Sequence, residues 1–123
     1  MRKIIITGAL GQDGIILSKL YLKKKFKVFG LIKHAKKFKV KNVNYKINNL
    51  KSKKNLEKDL TSIKPDVIIH LASTNNNYIK RKNKENYKIN YLLNIKITKN
   101  ILDIIIEKKL KTKFIFAGSS LMF

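Results

Sequence analysis

Apolar residues along the chain alternate between short continuous runs and longer stretches in which they recur every three or four positions. The short runs are rich in Ile, Val and Phe, which is typical of strands buried on both faces of a parallel sheet. The longer stretches are typical of amphipathic helices with one buried face. The short runs predict five strands, at Lys3–Thr7, Lys27–Ile32, Val43–Ile47, Asp66–Leu71 and Lys113–Ala117.

The spaced apolar positions predict helices between these strands. One covers Gly14 to Lys25. A second, marked by Leu56, Leu60 and Ile63, ends before Pro65, because the residue that precedes a proline disfavours helix. A long one runs from Asn86 to about Lys111. The polar and basic segment from Thr74 to Glu85 predicts a loop. Strand–helix alternation predicts an α/β fold: one domain over residues 1–123, with a doubly wound parallel sheet, roughly four helical connections and truncation after about five strands.

A glycine-rich segment directly follows the first predicted strand and opens the first predicted helix. Gly8 would permit a tight turn, Gly11 would let a pyrophosphate approach the backbone, and Gly14 would allow close packing of helix on strand. The helix N-terminus would offer N–H groups and the positive end of its dipole to the phosphates. We therefore predict a dinucleotide site at the carboxyl ends of the strands, formed here by Gly8, Ala9, Leu10, Gly11, Gln12, Asp13 and Gly14.

The residues after the second strand bear on which dinucleotide binds. Chains that bind NAD place Asp or Glu there for the ribose 2′-hydroxyl, whereas chains that bind NADP place basic residues for the 2′-phosphate. This chain has Lys33-His34 there, and the next carboxylate along the chain is Glu57. We predict NADP rather than NAD, mainly from the missing acid, since 29 of the 123 residues are basic and a basic pair alone carries little information.

Four segments resemble, in order, motifs of the extended short-chain dehydrogenases/reductases of the NAD-dependent epimerase/dehydratase family. The Gly8–Gly14 segment has that family's Gly-x-x-Gly-x-x-Gly spacing, and its Gly-Gln-Asp-Gly ending is similar to the GDP-mannose 4,6-dehydratases. Lys64–Ser73 resembles the family's Pro-Asp strand that ends in His-Leu-Ala-Ala, and Asn94–Asp103 resembles its Asn-Val-x-Gly-Thr-x-Asn-Leu-Leu-Glu helix. Ala117–Phe123 is similar to the dehydratases' Ala-Gly-Ser-Ser-Glu-Met-Phe-Gly.

The resemblance implies a Rossmann-type fold and the reaction of a nucleotide-sugar dehydratase. In that reaction NADP⁺ oxidises sugar C4, water is lost across C5 and C6, and hydride returns to C6. The favoured substrate is GDP-mannose, and the full-length protein is expected to be a cytoplasmic homo-oligomer. The residues that the resemblance assigns are Ser119, to the sugar hydroxyl being oxidised, Asn49 and Leu50, beside the adenine, and Leu71, Ala72 and Ser73, along the cofactor.

The chain departs from the family pattern at two positions, and the first of them leaves alternatives for the reaction open. Leu121 stands where the dehydratases place a Glu that removes a proton, and leucine cannot transfer protons. A nucleotide-sugar 4-epimerase or reductase needs the serine but not this Glu, and a non-catalytic nucleotide-binding fragment is also possible. The second departure is Lys25, which replaces the glycine expected just past the first helix, where a left-handed residue costs about 1 kcal/mol.

The family's Tyr-x-x-x-Lys pair, which transfers the proton during C4 oxidation, is expected beyond residue 123. Tyr21–Lys25 has the same spacing but lies in the first predicted helix, remote from the strand ends where the reaction is expected. We therefore expect the chain alone to be inactive.

The charge raises a separate question. The chain has 29 basic and seven acidic residues, a formal net charge of +22, which could indicate nucleic-acid or anionic-membrane binding. Only two of the basic residues are arginine, the lysines are spread along the chain, and no nucleic-acid-binding motif is visible. We interpret the charge as a lysine-rich surface without a specific nucleic-acid partner, while a polyanion-binding domain stays an open alternative.

Absent features narrow the class further. There is no cysteine, which excludes disulfides and thiolate metal sites and fits a reducing cytoplasm. No segment reaches about 18 uninterrupted apolar residues, so we expect a soluble protein without a membrane partner. His34 has no neighbouring ligand cluster in the sequence, and we predict no metal site.

Overall fold

A five-stranded sheet runs through the protein, whose computed structural model describes residues 1–71 and 84–116. Its order is β3-β2-β1-β4-β5, and all neighbouring strands are parallel. This arrangement confirms the predicted doubly wound α/β fold. The strands are β1 (Lys3–Thr7), β2 (Lys27–Ile32), β3 (Asn44–Ile47), β4 (Val67–His70) and β5 (Lys113–Phe116).

Helices cover both faces of the sheet, which explains why the central strands are apolar on both sides. The helices are α1 (Gln12–Lys23), α2 (Lys53–Ile63) and α3 (Lys84–Glu107). Alternate residues of β1 enter opposite cores, so that Ile4 and Ile6 lie on the α1 side and Ile5 lies on the α2–α3 side. The two helices on the second face are also joined by exposed ion pairs, Lys53–Glu107 at 3.0 Å and Glu57–Lys108 at 2.8 Å.

The end of α1 confirms the expectation for Lys25. The helix begins at Gln12 and ends at Lys23, two residues earlier at each end than the apolar spacing predicts. Lys25 has φ 67°, and the N–H groups of Lys25 and Phe26 donate to the carbonyl oxygens of Leu22 and Tyr21, both at 3.0 Å. These two bonds close the helix in the motif that normally has glycine in the left-handed position.

α3 also ends at a left-handed lysine, and its last residue was predicted wrongly. The helix stops at Glu107 instead of about Lys111, because Lys109 adopts φ 51° and Leu110 donates its N–H to Ile105 O at 2.9 Å. Leu110 then packs on the core. No glycine marks this stop in the sequence. At its other end α3 begins at Lys84, so the last two residues of the predicted loop are helical.

The connection from β2 to β3 differs most from the prediction. Residues 33–43 contain no helix, so the expected fourth helical connection is wrong. The connection is held instead by Val40, which is buried and donates its N–H to the Tyr45 hydroxyl at 2.9 Å. Smaller differences are that β3 begins one residue late and that β4 lacks the predicted Asp66 and Leu71. Ala117 lies outside the described residues.

Candidate dinucleotide site

The loop between β1 and α1 folds as the glycine spacing predicts. Gly8 has φ 64°, a left-handed conformation that glycine adopts at little cost, and its carbonyl oxygen accepts the Gly11 N–H at 3.0 Å. A Cβ at Gly14 would overlap the Gly8 carbonyl oxygen and lie 2.7 Å from the Ala9 backbone. Gly14 therefore allows the first turn of α1 to rest on the loop itself, whereas the spacing predicted close packing of the helix on the strand.

The N-terminus of α1 is open to a ligand. Gly11 is the N-cap residue and makes no side-chain capping bond, and the first bond of the helix runs from Ile15 N–H to Gly11 O at 2.9 Å. The N–H groups of Gln12, Asp13 and Gly14 come before that bond, so the helix itself does not use them. Gly11, Gln12 and Asp13 are exposed. Uncapped amides at the positive end of a helix are a ready site for a phosphate group.

A further glycine, Gly30 in β2, supports this loop and was not singled out from the sequence. A Cβ there would lie 2.7 Å from the Ala9 Cβ and 2.8 Å from the Tyr45 ring. Ala9 is fully buried, so it could not withdraw without moving the loop. A glycine inside an otherwise apolar strand often marks such a close approach, and this was the signal available in the sequence.

The ends of β2 and β3 lie beside the glycine loop. Thr7 pairs with Leu31 and Leu31 pairs with Lys46, so the residues that follow these strands share one edge of the sheet. Lys33 and His34 are exposed at that edge. The two basic side chains are thus placed on the same edge as the proposed phosphate loop.

The turn after β3 presents one side chain and buries another. Asn49 is exposed, and its Oδ1 accepts the Lys51 N–H at 3.0 Å. Leu50 is only 3% exposed and has φ 66°, and its side chain lies in the core on the α2–α3 side. Asn48, which the sequence did not single out, is buried beneath this turn and hydrogen-bonded through its side chain.

A side-chain contact joins the ends of β1 and β4. Thr7 Oγ1 accepts the Leu71 N–H at 2.9 Å and lies 2.7 Å from His70 Nδ1. His70 is fully buried between Phe114 and Phe116, and this burial lowers its pKa to about 4. A neutral imidazole therefore fixes the β1–β4 edge directly before Gly8. The order of the sheet reverses at this pair, the position at which ligands bind in open α/β sheets.

The sequence matches one protein family over almost its whole length. A model of the NAD dependent epimerase/dehydratase family matches residues 4–123. The chain belongs to this family. No curated protein matched the sequence.

Solved structures confirm the epimerase/dehydratase fold. The UDP-Glc/GlcNAc 4-epimerase of Campylobacter jejuni has 21% identity and a TM-score of 0.79, with 98% of this chain and 38% of that chain covered. The L-threonine dehydrogenase of Clostridium difficile has 27% identity and a TM-score of 0.76, with 97% and 37% covered. WbmH of Bordetella bronchiseptica, solved in complex with NAD⁺, has 20% identity and a TM-score of 0.70, with 89% and 36% covered. The chain therefore spans less than two-fifths of the length of these proteins.

Part of the site expected in this epimerase/dehydratase chain lies outside the described residues. This holds for Ala72 and Ser73 after β4, and for Ser119 and Leu121 after β5. Within residues 1–71 and 84–116, no three His, Asp or Glu side chains come together as a metal site. In the same part of the chain, no helix is both long and apolar enough to cross a membrane.

Proposed function

We propose that this epimerase/dehydratase chain is the NADP-binding portion of a nucleotide-sugar enzyme. The observation that carries the proposal is the loop from Gly8 to Gly14, where a left-handed turn precedes a helix that has no side-chain cap and whose first residues, Gln12 and Asp13, are exposed. The cofactor would supply a hydride acceptor and donor next to the sugar. The residues that would hold it are Gly8, Ala9, Leu10, Gly11, Gln12, Asp13, Gly14, Lys33, His34, Asn49, Leu50, Leu71, Ala72 and Ser73.

The choice of NADP over NAD rests on the exposed pair Lys33-His34 at the end of β2 and on the absence of a carboxylate there. An ammonium group favours the 2′-phosphate of NADP, whereas NAD recognition uses an acid that hydrogen-bonds the 2′-hydroxyl. WbmH and WbmG of Bordetella bronchiseptica were solved with NAD⁺ and NAD, which makes NAD the alternative for this chain.

For the reaction, we favour a dehydratase that resembles the GDP-mannose 4,6-dehydratases. The support is in the sequence, where Gly11–Gly14 and Ala117–Phe123 are similar to that group, and Ser119 would contact the sugar hydroxyl. Leu121 favours the second candidate, a nucleotide-sugar 4-epimerase or reductase, because neither needs a base at this position. The UDP-glucose 4-epimerases among the similar structures agree with that candidate through their fold. A non-catalytic nucleotide-binding fragment is the third.

The outer face of α3 supports a homo-oligomer of the full-length protein. Leu92, Ile95, Leu102 and Ile106 follow each other at roughly helical spacing and are 40–73% exposed. Lys99 interrupts this row between Ile95 and Leu102, and apolar side chains gathered on one helix face in this way are compatible with burial against another chain. We further propose that the full-length protein acts in the cytoplasm.

Calorimetric titration of the chain with NADPH and with NADH tests the cofactor assignment. We expect NADPH to bind more tightly, and Lys33→Glu to reduce this preference because it replaces a cation with an anion at the 2′-phosphate position. Lys23→Glu is the matched control, since it makes the same charge change at an exposed position at the far end of α1. Equal affinities, or tighter NADH binding, by the unmodified chain would contradict the NADP assignment.

A further inference from the structure

We propose that Asn48 is a positioning residue for the adenine end of the cofactor, acting through a tether to Asp59 in α2. The inference rests on the proposed dinucleotide-binding function and deepens it. It adds a residue that would not contact the cofactor but would decide where the exposed Asn49 lies.

The tether consists of three hydrogen bonds made by one buried residue. The Asn48 N–H donates to Ile32 O at 2.8 Å, which extends the pairing of β3 with β2 by one step. Asn48 Oδ1 accepts the Leu50 N–H at 2.8 Å, and Asn48 Nδ2 donates to Asp59 Oδ2 at 2.8 Å. With 6% exposure, Asn48 has little access to water that could replace these partners. Asn48 therefore holds the end of the strand through its backbone, and joins the turn to the helix through its side chain.

The turn needs such a restraint because its backbone is strained at Leu50. A branched side chain at φ 66° is disfavoured relative to ordinary backbone conformations. Leu50 is anchored in the core, and the Asn48 Oδ1 bond to its N–H fixes the backbone on the preceding side. Asn49 lies between these two fixed residues and is directed to the surface.

Asp59 links the turn to a rigid element. It lies in the middle of α2, where Leu56 and Leu60 are fully or almost fully buried, and its other oxygen is 3.8 Å from Lys46 Nζ. Loss of the Asn48–Asp59 bond would free the turn after β3 while leaving the glycine loop after β1 unchanged. The expected consequence is a defect in recognition of the base, with pyrophosphate binding retained.

Exchange of donor and acceptor tests the tether directly. Asn48→Asp would place a second carboxylate against Asp59, so the bond is lost and the two groups repel. Asp59→Asn retains an acceptor oxygen for Asn48 Nδ2 and should change little. In the double variant Asn48→Asp/Asp59→Asn the donor and acceptor are exchanged, and the bond can form again.

The measurement is the ratio of dissociation constants for NADPH and for its analogue with hypoxanthine in place of adenine. The two ligands differ only at the base, so an effect on the whole domain leaves their ratio unchanged. We expect Asn48→Asp to weaken NADPH binding about fivefold, the equivalent of one hydrogen bond, and to move the ratio towards one. Asp59→Asn and the double variant should keep the ratio of the unmodified chain.

Ile63→Val is the control for lost stability. It removes one buried methylene from α2, lowers the stability of the fold by the cavity that is left, and alters no hydrogen bond of Asn48. All titrations are made well below the melting temperature of each variant. Three outcomes would overturn this inference without affecting the proposed function. The ratio could stay unchanged in Asn48→Asp, it could shift by the same amount in Ile63→Val, or it could already equal one in the unmodified chain. Failure of the unmodified chain to bind either NADPH or NADH would overturn the proposed function as well.

Discussion

Substitution of Gly11 by valine separates the two demands on the glycine loop, which are folding and access for a phosphate. Gly11 has φ −73° and ψ 170°, in the extended region that β-branched residues readily adopt. A Cβ at this position would lie 3.3 Å from Gly8 O, so the neighbouring backbone must move by only a few tenths of an ångström. The fold therefore tolerates a side chain at Gly11, although the surface in front of the helix is then occupied.

The stability change can be estimated from these values. An apolar N-cap residue destabilises the helix by about 0.5–1 kcal/mol relative to glycine. Replacing glycine also lowers the conformational entropy of the unfolded chain, which stabilises the fold by about 0.4–1 kcal/mol. We therefore expect Gly11→Val to change the free energy of unfolding by less than about 1 kcal/mol. Gly14→Ala is the contrasting variant, because its Cβ overlaps buried backbone and such overpacking costs about 1–3 kcal/mol.

Urea unfolding and calorimetric titration with NADPH are measured on both variants. We expect Gly11→Val to fold with nearly unchanged stability and to lose more than tenfold in affinity, since its methyl groups occupy the approach to the α1 N–H groups. We expect Gly14→Ala to have a lower free energy of unfolding than Gly11→Val. If Gly11→Val folds and binds NADPH within about threefold of the unmodified chain, the assignment of the pyrophosphate to this loop is wrong.

Three other outcomes are expected. Lys25→Gly should raise the free energy of unfolding by about 1 kcal/mol because it removes left-handed strain, whereas Lys23→Gly inside the helix should lower it. Thermal melts in which the two variants do not shift the melting temperature in opposite directions would contradict this. Stability should fall as the pH drops from about 6.5 towards 4, because buried His70 must remain neutral in the fold, and His70→Asn should remove that part of a pH-dependent urea titration. The 123-residue chain should give no product from GDP-mannose or UDP-glucose with saturating cofactor, and turnover in a chromatographic assay would show that the catalytic centre is misplaced.

The positions of strands and of the glycine loop were predictable because they depend on local patterns. β1 and β2 have the predicted bounds, and the glycines at 8 and 14 have the conformation and the close contact that their spacing indicates. Apolar runs of this composition have few alternatives to a buried parallel strand.

Helix ends and the adenine-side turn were harder to predict because they depend on contacts distant in sequence. Lys109 ends α3 without a glycine, and the stop is favoured by the packing of Leu110 on a core that the local sequence does not reveal. Asn48 is similar, since its partner Asp59 is brought to it only by the packing of α2 on the sheet. In a chain so rich in asparagine, no local feature distinguishes this asparagine from its exposed neighbour Asn49.

Net charge complicates any inference about the 2′-phosphate. A surface with formal charge +22 attracts every polyanion, and NADPH carries one more phosphate than NADH, so some preference for NADPH is expected from the general field alone. That general component weakens steeply as salt screens the surface. Lys33→Glu and Lys23→Glu lower the total charge equally, so the difference between them isolates the contribution of the position. Only a larger loss for Lys33→Glu, which persists at physiological ionic strength, would identify the end of β2 as the 2′-phosphate site.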